Sequence, residues 1–322
     1  MKAIRVSTPG GPEVLRFEDV AEPAPKAGEA IVKVDAAGIN YIDVYQRSGQ
    51  YKLALPLTLG LEAGGTVTAV ASDVTEVRVG DKVAYTGVPG AYAQFAAVPA
   101  QRLVTLPSGV STKQGGAAML QGLTAHYLAC STYPLKSGDT CLVHAAAGGV
   151  GLILCQIAKM RGARVIGTVS TPDKAKLARE AGAAEVVDYS KQDFEAEVKR
   201  FTDGKGLQVV YDAVGKTTFE KGFNCLAPRG MMVLYGQASG PIGPFDPQVL
   251  NAKGSLFLTR PSLNHHIITR AELLQRSNEL LGWIRDGKLK LRTEFEFPLK
   301  DAAEAHRALE ARKTTGKVLL IP

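Results

Sequence analysis

The chain has 322 residues, 45% of them hydrophobic and 21% charged, with a formal net charge of +7. That length holds two domains with separate cores, and the composition excludes a disordered or fibrous chain. The Lys and Arg residues are scattered without a basic run, which reads as solvated surface rather than a nucleic-acid stripe, and no apolar run approaches a membrane span.

Near the start, Arg5, Glu13, Arg16, Glu18 and Asp19 interrupt any apolar segment, so no secretion signal is expected. Short β-rich runs follow one another at Lys2–Val6, Leu15–Asp19, Glu29–Ala36, Gly65–Ala71, Lys82–Tyr85 and Ala91–Val98. Pro, Gly and Asp separate them, as in Pro9-Gly10-Gly11-Pro12 and Val79-Gly80-Asp81. This texture predicts an antiparallel, barrel-like β domain.

The middle of the chain changes period. Thr140–His144 reads as a buried parallel strand, and Ala145-Ala146-Ala147-Gly148-Gly149-Val150-Gly151 follows it. Next, Leu152–Arg161 carries Ile153, Ile157 and Met160 at helical spacing. Small residues at such a turn let the backbone approach a pyrophosphate, and the new helix offers N–H groups and a positive dipole end. The spacing is Ala-x-x-Gly-x-x-Gly rather than Gly-x-Gly-x-x-Gly, and tight helix–strand packing alone would also explain it. Repetition favours the dinucleotide. Strands are predicted at Arg164–Val169, Glu185–Asp188, Leu207–Asp212 and Gly230–Tyr235, with helices from Thr171 to Gly182, at Asp193–Thr202 and around Phe219–Leu226. This alternation predicts an α/β fold with a Rossmann doubly wound parallel sheet whose ligands sit at the carboxyl ends of the strands.

Charge at the second strand end selects the dinucleotide. An NAD site places an acid there for the ribose 2′-hydroxyl. Here the chain reads Thr168-Val169-Ser170-Thr171, with Lys174 one turn into the next helix. A hydroxyl and a lysine suit a 2′-phosphate, so NADPH is the expected cofactor, although Lys174 also fits an ordinary solvated helix lysine.

After Pro261 the chain carries an amphipathic helix with Leu273, Leu274, Leu280, Leu281 and Ile284 on one face. A helix near Ala302–Ala311 and a strand at Val318–Ile321 follow. This tail is too short for a large core and is expected to return to the N-terminal domain. The four cysteines, Cys130, Cys141, Cys155 and Cys225, show no pairing pattern and read as reduced thiols of a cytosolic enzyme.

Seven motifs spread along the chain belong together: Ala37–Asp43, Arg47–Tyr51, Gly122–Ala125, His144–Gly151, Tyr211–Gly215, Arg260–Leu263 and Gly316–Pro322. With them the chain resembles, over its whole length, the zinc-independent quinone oxidoreductases, related to zeta-crystallin, of the medium-chain dehydrogenase/reductase superfamily. The resemblance implies a GroES-like catalytic domain in two parts, residues 1–123 and 262–322, around an NADPH-binding Rossmann domain of residues 124–261. It also implies a homodimer, cytoplasmic location and NADPH-dependent reduction of quinones. Zinc-dependent relatives use a Cys, a His followed by Glu and a third ligand; at the matching places stand Ala37, and Leu61 before Glu62. Neither Ala nor Leu coordinates a metal, the four-cysteine structural zinc cluster is missing, and His265-His266 reads as a surface loop pair, so no zinc is expected.

Without a metal, the hydride acceptor must already be electrophilic, as a quinone or another conjugated carbonyl is. Asn40 is the first candidate to touch the nicotinamide or a substrate oxygen, against a loop-capping role. Tyr45 and Tyr51 could wall the pocket or fill a β-domain core. Asp43 is read as fixing its loop rather than as a base. Thr124, at the junction of the two domains, could reach the nicotinamide or its ribose. Arg260 could line the substrate cleft or form an interdomain ion pair. Cofactor contacts are expected from Gly148, Gly149, Val150 and Gly151 at the diphosphate, and from Ser170, Lys174 and Tyr189 at the 2′-phosphate and adenine. Gly236 and Gln237 are expected near the nicotinamide. Arg312, in the C-terminal helix, matches a family position near the phosphate or is a surface arginine. Competing readings are reduction of enones, enoyl thioesters or haloacrylates, and, from another class, nucleotide-gated RNA binding. The latter needs a basic stripe with interleaved aromatics that the sequence lacks.

Overall fold

The computed structural model describes residues 1–322. The chain folds into two compact units, one of Met1–Leu123 with Ile267–Pro322 and the other of Thr124–His266.

The first unit is organised by one long strand, Glu29–Ile39, whose Ile31, Val32 and Val34 are buried. It runs antiparallel to Glu62–Val70 along one edge. Its other edge is shared. Phe95–Pro99 pairs with the first half, and the last strand, Val318–Ile321, pairs with the end through Val318↔Ile39, Leu319↔Gly38 and Leu320↔Ala37. Lys82–Thr86, Val104–Thr105 and Phe295–Pro298 extend this seven-stranded sheet. A second sheet joins Arg16–Asp19, Lys2–Val6 and Leu57–Thr58. Ile4, Val32, Leu59, Tyr85, Leu103 and Leu320 belong to the shared core.

The second unit is a six-stranded parallel sheet of Thr140–Val143, Arg164–Val169, Glu185–Asp188, Leu207–Asp212, Leu226–Leu234 and Phe257–Thr259. Counted along the chain within this unit, their order across the sheet is 3-2-1-4-5-6, the dinucleotide-binding arrangement. Central strands of such a sheet are covered on both faces, which is why they are nearly continuous apolar runs.

Several boundaries differ from the sequence expectation. The helix after the glycine turn is Gly149–Met160 and begins three residues before Leu152, because Gly148 is the extended N-cap and the glycines themselves form the first turn. The helix Phe219–Phe223 stops short of Leu226, which is already paired with Leu207 as the next strand begins. The strands Phe257–Thr259 and Phe295–Pro298 are too short to stand out from composition. The helices Tyr41–Arg47 and Thr112–Tyr127 are additions to the elements the sequence predicts. From Gln121 to Tyr127 every residue of the latter is buried, so no polar face marks a helical period, and Gly115, Gly116 and Gly122 lower its propensity.

Candidate active site

In the second unit the strand Thr140–Val143 ends at His144, and the chain turns through Ala145, which sits at φ 53°. The Ala146 N–H is held by Thr168 O at 3.0 Å and the Gly148 N–H by Ala145 O at 2.8 Å. The helix then starts at Gly149, so the N–H groups of Gly149, Val150 and Gly151 lie in a first turn without intrahelical acceptors. A Cβ at Gly151 would lie 2.8 Å from Ala146 Cα. Only glycine lets the helix pack this closely on its own turn. The residues present therefore fit a diphosphate carried on backbone N–H groups.

The neighbouring strand ends carry the residues expected at the 2′-phosphate and the nicotinamide. Thr171 caps the helix Pro172–Glu180 and accepts the Lys174 N–H at 3.3 Å, which places Lys174 in the first helical turn. Half-buried Ser170 and exposed Tyr189 follow paired strands, and the Tyr189 N–H donates to Val169 O at 3.0 Å. No carboxylate stands at residues 168–171. Gly236 follows the strand Leu226–Leu234, its N–H 3.2 Å from Asp212 O, with half-buried Gln237 beyond it. Asp212 is spent locally, accepting the Val214 and Gly215 N–H groups and the Thr218 hydroxyl. Burial lowers the His144 imidazole below its usual range against the pull of Asp212, and its Nδ1 lies 2.9 Å from the Thr168 hydroxyl.

Thr124 is buried within the helix Thr112–Tyr127, and Arg260 is exposed. Two expectations are corrected. His266 is not a plain surface residue, because its ring stacks on Tyr127 at 4.1 Å. Arg312 does not lie in the helix, which ends at Glu310; it sits exposed beyond the C-cap at φ 58°, its N–H bonded to Leu309 O at 3.0 Å.

In the first unit Asn40 is the N-cap of the helix Tyr41–Arg47 and is 3% exposed. Its N–H donates to Asp43 Oδ2 at 2.8 Å, the loop-fixing role read for Asp43. Its amide is also committed, Nδ2 donating to Glu62 Oε1 at 2.7 Å and to Gly38 O at 3.3 Å, while Oδ1 accepts from Lys317 Nζ at 3.0 Å. Lys317 and Glu62 form a fully buried ion pair. Burial lowers the Lys317 ammonium against the attraction of Glu62. Tyr45 lies in the same short helix and its ring centroid is 5.3 Å from that of Tyr51 and 5.5 Å from that of Tyr41, making an aromatic cluster rather than β-sheet core.

Sequence reasoning missed Lys317, Tyr92 and His306, which complete this buried network. Their only signal was charge or polarity inside apolar runs, as in Lys317 directly before Val318–Ile321. No three His, Cys, Asp or Glu side chains are gathered as a metal shell, and Ala37 and Leu61 are apolar neighbours of Glu62.

Two family models match, the alcohol dehydrogenase GroES-like domain over residues 26–108 and the zinc-binding dehydrogenase over residues 149–279. A quinone oxidoreductase of Pseudomonas aeruginosa is 47% identical over 325 aligned residues, covering 100% of this chain and 99% of the relative. The chain belongs to the quinone oxidoreductases of the medium-chain dehydrogenase/reductase superfamily. Within it, the structure of the Escherichia coli quinone oxidoreductase complexed with NADPH superposes with a TM-score of 0.98 at 44% identity over 100% of both chains. A 2-haloacrylate reductase from Burkholderia is 40% identical over 97% of this chain and 96% of its own.

Proposed function

We propose that the protein is an NADPH-dependent quinone reductase that works without a metal. The observation that carries this is the helix Gly149–Met160 opening onto Gly148 beside a strand end that offers Ser170 and Lys174 in place of a carboxylate. Gly148, Gly149, Val150 and Gly151 would hold the diphosphate, Ser170, Lys174 and Tyr189 the 2′-phosphate and adenine side, and Gly236, Gln237 and Thr124 the nicotinamide half. Bound there, NADPH supplies a hydride. Tyr45 and Tyr51 would wall the acceptor, Arg260 and Arg312 would add positive charge toward anionic groups, and Asn40 would orient the reacting pair. The absence of coordinating side chains at residues 37 and 61 supports an acceptor that is electrophilic without Lewis-acid help. The protein's share is then orientation and hydrogen bonding.

The likeness to the 2-haloacrylate reductase supports a second reading, reduction of other conjugated carbonyls, because pocket loops on one scaffold choose the substrate. No helix is long and apolar enough to cross a membrane. We infer a cytoplasmic homodimer, the state the family resemblance implies, with four free cysteines suited to a reducing compartment. A steady-state screen of quinones, enones and haloacrylates with NADPH and NADH tests the proposal. Turnover of benzoquinones with NADPH is expected, and turnover of none of them would refute it.

A further inference from the structure

We propose that His144 is a positioning residue: with Thr168 it fastens the glycine turn to the strand end that carries Ser170, so that one dinucleotide is held at its diphosphate and its 2′-phosphate together. The inference rests on the reading of these two places as the NADPH site. The ladder between Thr140–Val143 and Arg164–Val169 stops at Val143↔Gly167. Beyond it, Thr168 makes two ties to the neighbouring chain. Its carbonyl accepts the Ala146 N–H at 3.0 Å, and its hydroxyl lies 2.9 Å from His144 Nδ1. The two ties flank Ala145, which turns the chain in the left-handed region at φ 53°. Ser170 follows Thr168 by two residues, so the same tie sets its distance from the turn.

The imidazole sits in the interior for this one side-chain bond. His144 and Thr168 are each 1% exposed. The Phe194 ring stands perpendicular to the imidazole with centroids 4.8 Å apart, and Nε2 is buried with no hydrogen-bond partner. Asp212, whose charge acts on this ring, spends its oxygens on Val214, Gly215 and Thr218. An imidazolium would carry a second N–H at Nε2, where no group accepts it. The ring therefore stays neutral, and it serves the phosphates by fixing the backbone and not as a cation. Leu142 and Phe194 belong to the apolar core on this side of the sheet. An unpaired ring nitrogen there costs stability, so packing alone would favour an apolar side chain at residue 144.

The test compares His144→Phe, Thr168→Val, the two together, and His144→Asn, whose amide can reach Thr168 in place of Nδ1. Fluorescence titration reads the dissociation constants of NADPH and NADH. A looser tie costs most to the ligand that must meet both phosphate places at once. His144→Phe and Thr168→Val are each expected to raise the NADPH constant about tenfold and the NADH constant by less than about twofold. The double variant should lose no more than either single one, and His144→Asn should keep the wild-type NADPH constant. Wild-type NADPH affinity in both single variants, equal losses for NADPH and NADH, or a His144→Asn as weak as His144→Phe overturns the inference alone. A wild-type protein that binds NADPH no more tightly than NADH overturns the dinucleotide assignment, and the inference with it. If His144→Phe does not fold, Thr168→Val gives the answer, since it exchanges one hydroxyl for a methyl group: a wild-type NADPH constant there overturns the proposal.

Discussion

The hydroxyl of Tyr92 joins Asp43 to His306, donating to Asp43 Oδ2 at 2.8 Å and lying 3.2 Å from His306 Nε2. On the far side of the ring, Arg47 Nη1 is 3.2 Å from Nδ1. A guanidinium only donates, so Nδ1 accepts, and Nε2 carries the proton toward Tyr92. Arg47 is anchored in turn by a two-pronged contact with Glu310 at 2.6 and 3.0 Å. Burial pushes the Asp43 carboxyl up to about 7, against the Asn40 N–H, the Tyr92 hydroxyl and Lys317. Burial, with Arg47 adding to it, pushes the His306 imidazole down to about 3.

The two shifts give opposite pH dependences. Asp43 is raised from 3.8 in the unfolded chain, so its contribution is complete below that value and is lost as pH rises toward 7. His306 is lowered from 6.5, so its contribution is complete above 6.5 and is lost as pH falls toward 3. Between about pH 4 and 6.5 they offset each other. Relative to wild type, Asp43→Asn should make stability climb with pH in this window, by up to ~1.4 kcal/mol per pH unit. His306→Gln should make it fall. Urea midpoints measured across the window check both signs; two variants parallel to wild type would contradict the shifts.

Gly38→Ala should destabilise the protein by about 1–3 kcal/mol, because its methyl group would displace Lys317 from Glu62. Gly282→Ala is the matched control with the opposite sign. Gly282 lies in the helix Arg270–Arg285 with nothing within 4 Å of where a Cβ would stand, so alanine should add ~0.5–1 kcal/mol through helix propensity. Thermal unfolding of the two variants separates steric crowding from a general effect of replacing glycine.

Lys174→Glu should weaken NADPH far more than NADH. The substitution sets a carboxylate in the first helical turn, beside an acid-free strand end. Losing a charge-assisted contact to the 2′-phosphate costs about 1.5–3 kcal/mol, or roughly ten- to a hundredfold in affinity. Equal losses for both dinucleotides in fluorescence titration would remove Lys174 from the phosphate site.

Dialysis against a strong chelator should leave turnover of a benzoquinone with NADPH unchanged. The expectation follows from Ala37 and Leu61, which offer no ligand atom, and from the absence of a three-residue His, Cys, Asp or Glu cluster. Loss of turnover that zinc restores would overturn the metal-free mechanism.

What the sequence determined by itself was local. Alternating apolar strands and periodic helices spelled out the parallel sheet between Thr140 and Leu234, because buried strands and amphipathic helices each carry their own period. The glycine turn, the acid-free end after Val169 and the apolar residues at 37 and 61 were equally readable, since each depends on which atoms a position has or lacks. The tertiary structure decided the surroundings of Asn40. Lys317 is 255 residues from Glu62, and His306 is 214 from Tyr92. Nothing local pairs them, because strand register comes from how side chains of distant segments pack, and one residue of slip would turn Lys317 to the other face. The helix Thr112–Tyr127 stayed hidden for a related reason: buried on every side at its C-terminal half, it has no contrast between faces to read.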